Sequence, residues 1–126
     1  MRMTAAGAVS WVRIGVGLLL AVAPGMFVRR FVQDEASGSL ILFTRTVGVR
    51  DLALGLGSLA AVRSESTDDV RRWVRAGLIS DSLDLVAGLA SSRLAGRRGV
   101  AIATATVLPV IALDALALRQ VADSAD

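Results

Sequence analysis

Residues 40–62, LILFTRTVGVRDLALGLGSLAAV, are the stretch that most limits what this chain can become. These 23 residues are almost all apolar, yet they carry Arg45, Arg50 and Asp51. As a helix the stretch rises about 34 Å at about 1.5 Å per residue, enough to cross the hydrocarbon of a bilayer. Arg50 and Asp51 then fall near the midplane, where an unpaired charge costs several kcal/mol. A chain that keeps charges there must bring them partners from other helices. The stretch therefore predicts a membrane bundle with a polar interior.

Length and composition agree. The 126 residues suffice for one domain, and 54% of them are hydrophobic, which is high for a soluble domain of this size. The chain has no Cys, His or Tyr, which removes disulfides, thiolate nucleophiles, imidazole bases and nitrogen- or sulfur-ligated metal sites. Only carboxylate-based metal binding remains, and neither a metal nor a cofactor is expected. All 14 basic residues are Arg. They are dispersed and few aromatics accompany them, so no nucleic-acid partner is expected.

The apolar pattern predicts an all-α fold, a four-transmembrane-helix bundle running up-down-up-down as a single domain over residues 1–126. The helices are read at about 9–22, 40–62, 73–91 and 100–118. Arg2 and an Ala-rich exit would also suit a signal peptide, but Arg13 inside the apolar run and Pro24-Gly25 at its end favour a retained first helix. Gly15 and Gly17 would let that helix pack closely on one side. Residues 24–39 read as a polar connection. Met26, Phe27, Val28, Phe31 and Val32 flank Arg29-Arg30 in an interfacial stretch, and Asp34, Glu35, Ser37, Gly38 and Ser39 mark a turn. The hydrophilic run 63–72 is a loop, with Thr67 or Asp68 as N-cap of the third helix and Trp73 at the membrane interface. A short basic loop precedes the fourth helix, which Pro109 should kink, freeing a carbonyl near Ala105. The basic residues divide six to five between the two faces, so the positive-inside rule only slightly favours cytoplasmic termini of a multi-pass cell-membrane protein.

Depth sorts the buried charges. With helices of alternating direction, Arg45 is level with Asp84, Arg50 with Asp81, and Arg13 with Asp114. Asp51 is left over, to be protonated or shared with the adjacent Arg50. Asp81 and Asp84 share a helix face. Gly77, Asp81, Asp84 and Gly88 make one small-and-polar stripe, and Thr44, Gly48, Asp51, Gly55 and Ser58 another, suited to close mutual packing. Arg50 lies about 100° around the helix from Asp51 and must reach around or face a third helix. The glycines are packing residues rather than a phosphate loop, since G-x-x-x-x-G-K-[ST] is absent.

The segment RTVGVRDLALG resembles the R-x-x-G-x-R-D-x-x-x-G signature of a family of small four-helix bacterial and fungal membrane proteins of unknown function. Arg45, Gly48, Arg50, Asp51 and Gly55 match it, and Asp81 or Asp84 would match an Asp that recurs in the family's third helix. More loosely, the chain is similar to small DoxX-like four-helix membrane proteins. The resemblance implies fold and location, with no established activity.

Two uses of the buried charges follow. In one, the Arg and Asp side chains are glue that fixes helix register, or hold a polar headgroup, in a non-catalytic module. Its partners would be the bilayer, a lipophilic small molecule, a homo-oligomer or a larger membrane complex. Asp51, Thr44, Gly48, Asp114 and Arg13 would then line the binding site. In the other, Asp81 and Asp84 are base and acid of an intramembrane enzyme of the epoxide hydrolase, isomerase or cyclase type, with Arg50 or Arg45 orienting a water or an oxyanion. Ion movement through the bundle is a weaker third, because four helices leave little lumen.

Overall fold

The computed structural model describes residues 4–32 and 37–123, and these are helical almost throughout, with no strand among them. Four long helices, α1 (Ala5–Val22), α3 (Gly38–Arg63), α4 (Thr67–Ala90) and α5 (Ser92–Asp123), are joined by short links. Between α1 and α3 lie a single helical turn, α2 (Pro24–Phe27), and a π-helical turn, Val28–Val32. The stretch expected to be a polar connection is thus largely helical. It is pinned by Val28, which is fully buried, while Arg29 and Arg30 are exposed. Asp34 and Glu35 lie outside the described residues.

Hydroxyl caps set the helix starts and correct the bounds read from hydropathy. The Thr4 hydroxyl accepts from the Gly7 N–H at 3.2 Å, Ser37 from Leu40 at 3.2 Å, and Ser66 from Asp69 at 3.3 Å. Each satisfies an amide that the first helical turn leaves without a partner. The cap of α4 is therefore Ser66, not Thr67 or Asp68, and the helix starts six residues before Trp73. In the last helix the interruption falls at Gly96 (φ 70°, ψ 163°), a backbone conformation that side chains disfavour. Pro109 keeps helical dihedrals, so the expected kink there is not the break.

The four helices alternate in direction. Ala5 and Ala6 at the start of α1, Ala61 at the end of α3, Val70 and Val74 at the start of α4, and Ala117 near the end of α5 form one buried cluster. The tightest pairing is α1 on α3. A Cβ added at Gly17 would strike the Leu52 backbone nitrogen and lie 2.7 Å from the Gly48 carbonyl oxygen. One at Gly55 would lie 2.9 Å from the Ser10 carbonyl. The stripe on α3 thus packs against α1 and not, as expected, against the stripe on α4. Its Ser58 hydroxyl accepts a 2.8 Å hydrogen bond from Ser10. Gly15, expected to share in the close packing, has nothing near its Cβ position.

Large apolar side chains lie on the outside, and charged ones lie inside beside the apolar core. Leu42, Phe43, Leu83 and Val86 are each more than 60% exposed, whereas Arg13, Asp81 and Asp114 are buried. Two helical stretches, Ala5–Val22 and Gly96–Asp123, are long and apolar enough to cross a membrane. Only 11% of the most apolar part of the second is buried inside the protein.

Candidate functional site

The site begins with α1. Because α1 starts at Ala5, Arg13 lies midway along it, not near one end as the shorter helix implied. On α1 the buried positions Ala6, Ser10, Arg13, Gly17 and Leu20 recur at intervals of three and four, so they form one inward stripe. This carries the guanidinium to the centre of the bundle, where it is 3% exposed.

Arg13 meets carboxylates from all three other long helices. Its Nη2 donates to Asp81 Oδ2 of α4 and to Asp114 Oδ2 of α5, each at 2.6 Å, and its Nη1 donates to Asp81 Oδ1 at 3.4 Å. Nη1 also lies 3.6 Å from Asp51 Oδ1 of α3. The pairing with Asp81 is two-pronged, the geometry in which a guanidinium fork matches a carboxylate best. Gly77, one turn before Asp81 on α4, gives the guanidinium its room: a Cβ there would lie 2.5 Å from Nη2. Arg13 was expected opposite Asp114 alone. The longer α1 raises it to the level of Asp81 as well.

Arg50 forms the second centre. Its guanidinium turns back to Asp51 Oδ1 at 3.0 Å and reaches Asp84 Oδ2 at 2.7 Å, with Asp81 Oδ1 farther off at 3.9 Å. Asp51 is therefore shared by two arginines. The Arg50 and Asp84 side chains are 31% and 35% exposed, so this end of the network opens to the flank of the bundle between α3 and α4.

Arg45 does not join the network. It is five residues from Arg50, about 140° around the helix, and so faces α1 instead of Asp84. Its Nε donates to the Ala21 carbonyl at 3.1 Å, placing a cation on the carbonyl-rich C-terminal end of α1. Thr44 is buried, and Gly48 is buried against α1. The Thr44 hydroxyl bonds the Leu40 carbonyl, and a Cβ on Gly48 would lie 2.5 Å from the Ala21 nitrogen.

Two guanidiniums thus hold four carboxylates. Asp114 is fully buried, and its Oδ1 has no hydrogen-bond partner among the described residues. No group of three acidic side chains among the described residues is arranged to hold a metal ion. A cavity of about 180 Å³ lies at the other end of the bundle, lined by Thr4, Glu65, Thr67 and Gln120 over an apolar floor, and no residue of the network borders it. Searches of protein-family models, curated proteins and solved structures return no match to this chain. The site must therefore be read from its own chemistry.

That chemistry has two halves. Arg13, Asp81 and Asp114 are closed in, at 3%, 5% and 0% side-chain exposure, and have no space for a substrate. Arg50 and Asp84 present one cation and one anion at the surface. Sequence reasoning did not single out Ser10, whose hydroxyl links α1 to α3. Its signal was its place one turn before Arg13 on a small-residue stripe.

Proposed function

We propose that this chain is a small integral membrane protein with four transmembrane helices, α1, α3, α4 and α5. The inner ion network holds the bundle together, and the Arg50–Asp84 edge binds a lipophilic molecule or a membrane partner. One observation carries the reading: large apolar side chains cover the outside, while Asp51, Asp81 and Asp114 lie inside, Asp84 lies at the edge, and two guanidiniums pair with all four. In water this arrangement would leave an apolar exterior unsatisfied. In hydrocarbon it is the stable one, because intramembrane charges face the bundle interior and pair with each other. Helices α3 and α4, at 26 and 24 residues, are long enough to span. Their hydropathy is lowered by Arg45, Arg50 and Asp51 on α3 and, on α4, by Asp81, Asp84 and the charged first turns with Asp68, Asp69, Arg71, Arg72 and Arg75; of these, Arg50, Asp51, Asp81 and Asp84 pair within the network.

The reading also gives each residue of the R-x-x-G-x-R-D-x-x-x-G resemblance a physical task. Gly48 and Gly55 allow α1 to approach, Arg45 caps α1, and Arg50 and Asp51 join the network.

Exchange of charges tests the reading. Arg13→Asp and Asp81→Arg should each abolish recovery of folded protein from detergent-solubilised membranes, and the double exchange should restore part of it. A double exchange as damaging as either single change would remove the structural role. Recovery of the wild-type chain in the aqueous fraction would remove the membrane reading.

A second reading is a membrane-embedded acid/base enzyme acting on a lipophilic substrate. It is favoured by the one-third exposure of Asp84 beside Arg50, which a substrate could reach from the flank. It loses Asp81 as a partner acid, since that side chain is engaged by Arg13. An Asp84→Asn protein that turns over its substrate at the full rate would eliminate it.

A further inference from the structure

We propose that the end of the bundle where α1 closes and α5 begins binds anionic phospholipid, through Arg29 and Arg30 of the π-helical turn and Arg97 and Arg98 of α5. The inference rests on the membrane reading above and adds to it a lipid class at one bilayer surface.

The two ends of the bundle hold their arginines differently. Where α3 meets α4, Arg71 lies 3.4 Å from Asp68 and Arg72 3.1 Å from Asp69, and Glu65 and Asp123 belong to the same end. At the other end Arg29, Arg30, Arg93, Arg97 and Arg98 are exposed. None of these makes an ion pair among the described residues. The described carboxylate nearest that end, Asp84, is already held by Arg50 at 2.7 Å. Counting Asp34 and Glu35 from the sequence between the π-helical turn and α3 still leaves five cations to two anions.

Local structure turns these cations outward. Val28 is fully buried, so the turn is anchored by its first residue while Arg29 and Arg30 after it are exposed. The turn packs against α5, which starts at this end. Arg97 and Arg98 follow the break at Gly96 and open the apolar stretch Gly96–Asp123, so they sit where that stretch would enter the bilayer. Met26 and Phe31 bracket Arg29 and Arg30 and are 54% and 50% exposed. The Phe31 ring lies 5.1 Å from that of Phe27. Arginines set among exposed apolar side chains at a helix end suit the boundary between headgroups and acyl chains.

Charge and depth together select the occupant. Unlike Arg50, these arginines have no partner inside the protein, and they lie at the end of the spanning helices, the level of the lipid phosphates. A guanidinium fork takes two phosphate oxygens at once, while Met26 and Phe31 enter the acyl chains beside it. A zwitterionic lipid carries its own cation next to the phosphate and gains less. Free phosphate or an acidic soluble protein would answer the arginines and leave the flanking apolar side chains out of the contact.

Binding of phosphatidylglycerol and of phosphatidylcholine to the detergent-purified full chain separates these occupants, read by native mass spectrometry and by melting temperature. Phosphatidylglycerol should bind and raise the melting temperature. Phosphatidylcholine and inorganic phosphate at the same concentration should not. Added salt should weaken the binding. Each of Arg29→Gln, Arg30→Gln, Arg97→Gln and Arg98→Gln should lower the affinity about fivefold, and the four together should remove the preference. Arg63→Gln with Arg119→Gln, at the other end, should leave it intact. All six side chains are exposed, so the variants keep the fold. The proposal is overturned if the two lipids bind equally, if inorganic phosphate stabilises as well as the lipid, if the quadruple variant keeps the preference, or if the Arg63 and Arg119 variant loses it equally. Retention of an acidic soluble protein in place of the lipid would overturn it too. A chain that stays in the membrane fraction without a lipid preference defeats only this inference. One that leaves the membrane fraction defeats the reading beneath it.

Discussion

Arg13 does at its position what a lysine could not. A guanidinium offers five N–H groups in a planar fork, and here one nitrogen serves two carboxylates while the other leans toward a third. An ammonium is a point charge that cannot take the two-pronged geometry on Asp81. Arg13→Met should lower the unfolding free energy in detergent by about 3–5 kcal/mol, because it leaves buried carboxylates without their counter-charge. Arg13→Lys should fall between that variant and the parent when both are followed by thermal unfolding. Elsewhere, Glu65 in the tight link between α3 and α4 has φ 56°, a left-handed conformation that costs a residue with a Cβ about 1 kcal/mol. Glu65→Gly should therefore raise the melting temperature, with a drop in that temperature as the opposing result. Nothing in the sequence signalled this strain, since the run 63–72 shows only that a hydrophilic turn is needed.

Among the elements, the pairing of α1 with α3 explains why two glycines two residues apart should respond oppositely to the same change. Gly17→Ala would drive a methyl into the Leu52 backbone, where no side-chain rotation can relieve the clash, so the helices must part. Gly15 faces outward with open space, and Gly15→Ala should stabilise by up to about 1 kcal/mol through helix propensity alone. Unfolding of the two variants side by side checks the assignment of faces, and equal effects would contradict it. The small stripe Thr44, Gly48, Asp51, Gly55 and Ser58 could be read from spacing, but its partner could not. A stripe shows that some helix comes close without naming which one. The clue to α1 was its own stripe of Ala6, Ser10, Arg13 and Gly17. Starting the helix at residue 9 hid that clue, because the Thr4 cap precedes a run of Ala and Gly with weak periodic contrast. Arg45 shows the matching limits of depth arithmetic: it sets Arg45 level with Asp84, but Asp84 meets Arg50, five residues along α3, and it says nothing of azimuth.

For the whole molecule, the all-helical fold and the involvement of Arg13, Arg50, Asp51, Asp81, Asp84 and Asp114 in one polar cluster were legible, because charges inside apolar runs have few other places to go. The division of that cluster into a closed half and an open half was not, because it depends on where α3 and α4 diverge. This division leads to a prediction about what each half is for. Buried ion pairs are weak contributors to net stability, and replacing a complete set by apolar residues of similar volume is often neutral or stabilising, whereas breaking the set is strongly destabilising. If the inner half only fixes the packing, the triple variant Arg13→Met, Asp81→Leu, Asp114→Leu should be at least as stable in detergent as the parent, while Arg13→Met alone is not. A triple variant that fails to fold would show that the closed half specifies the arrangement of the helices and does more than fill their centre.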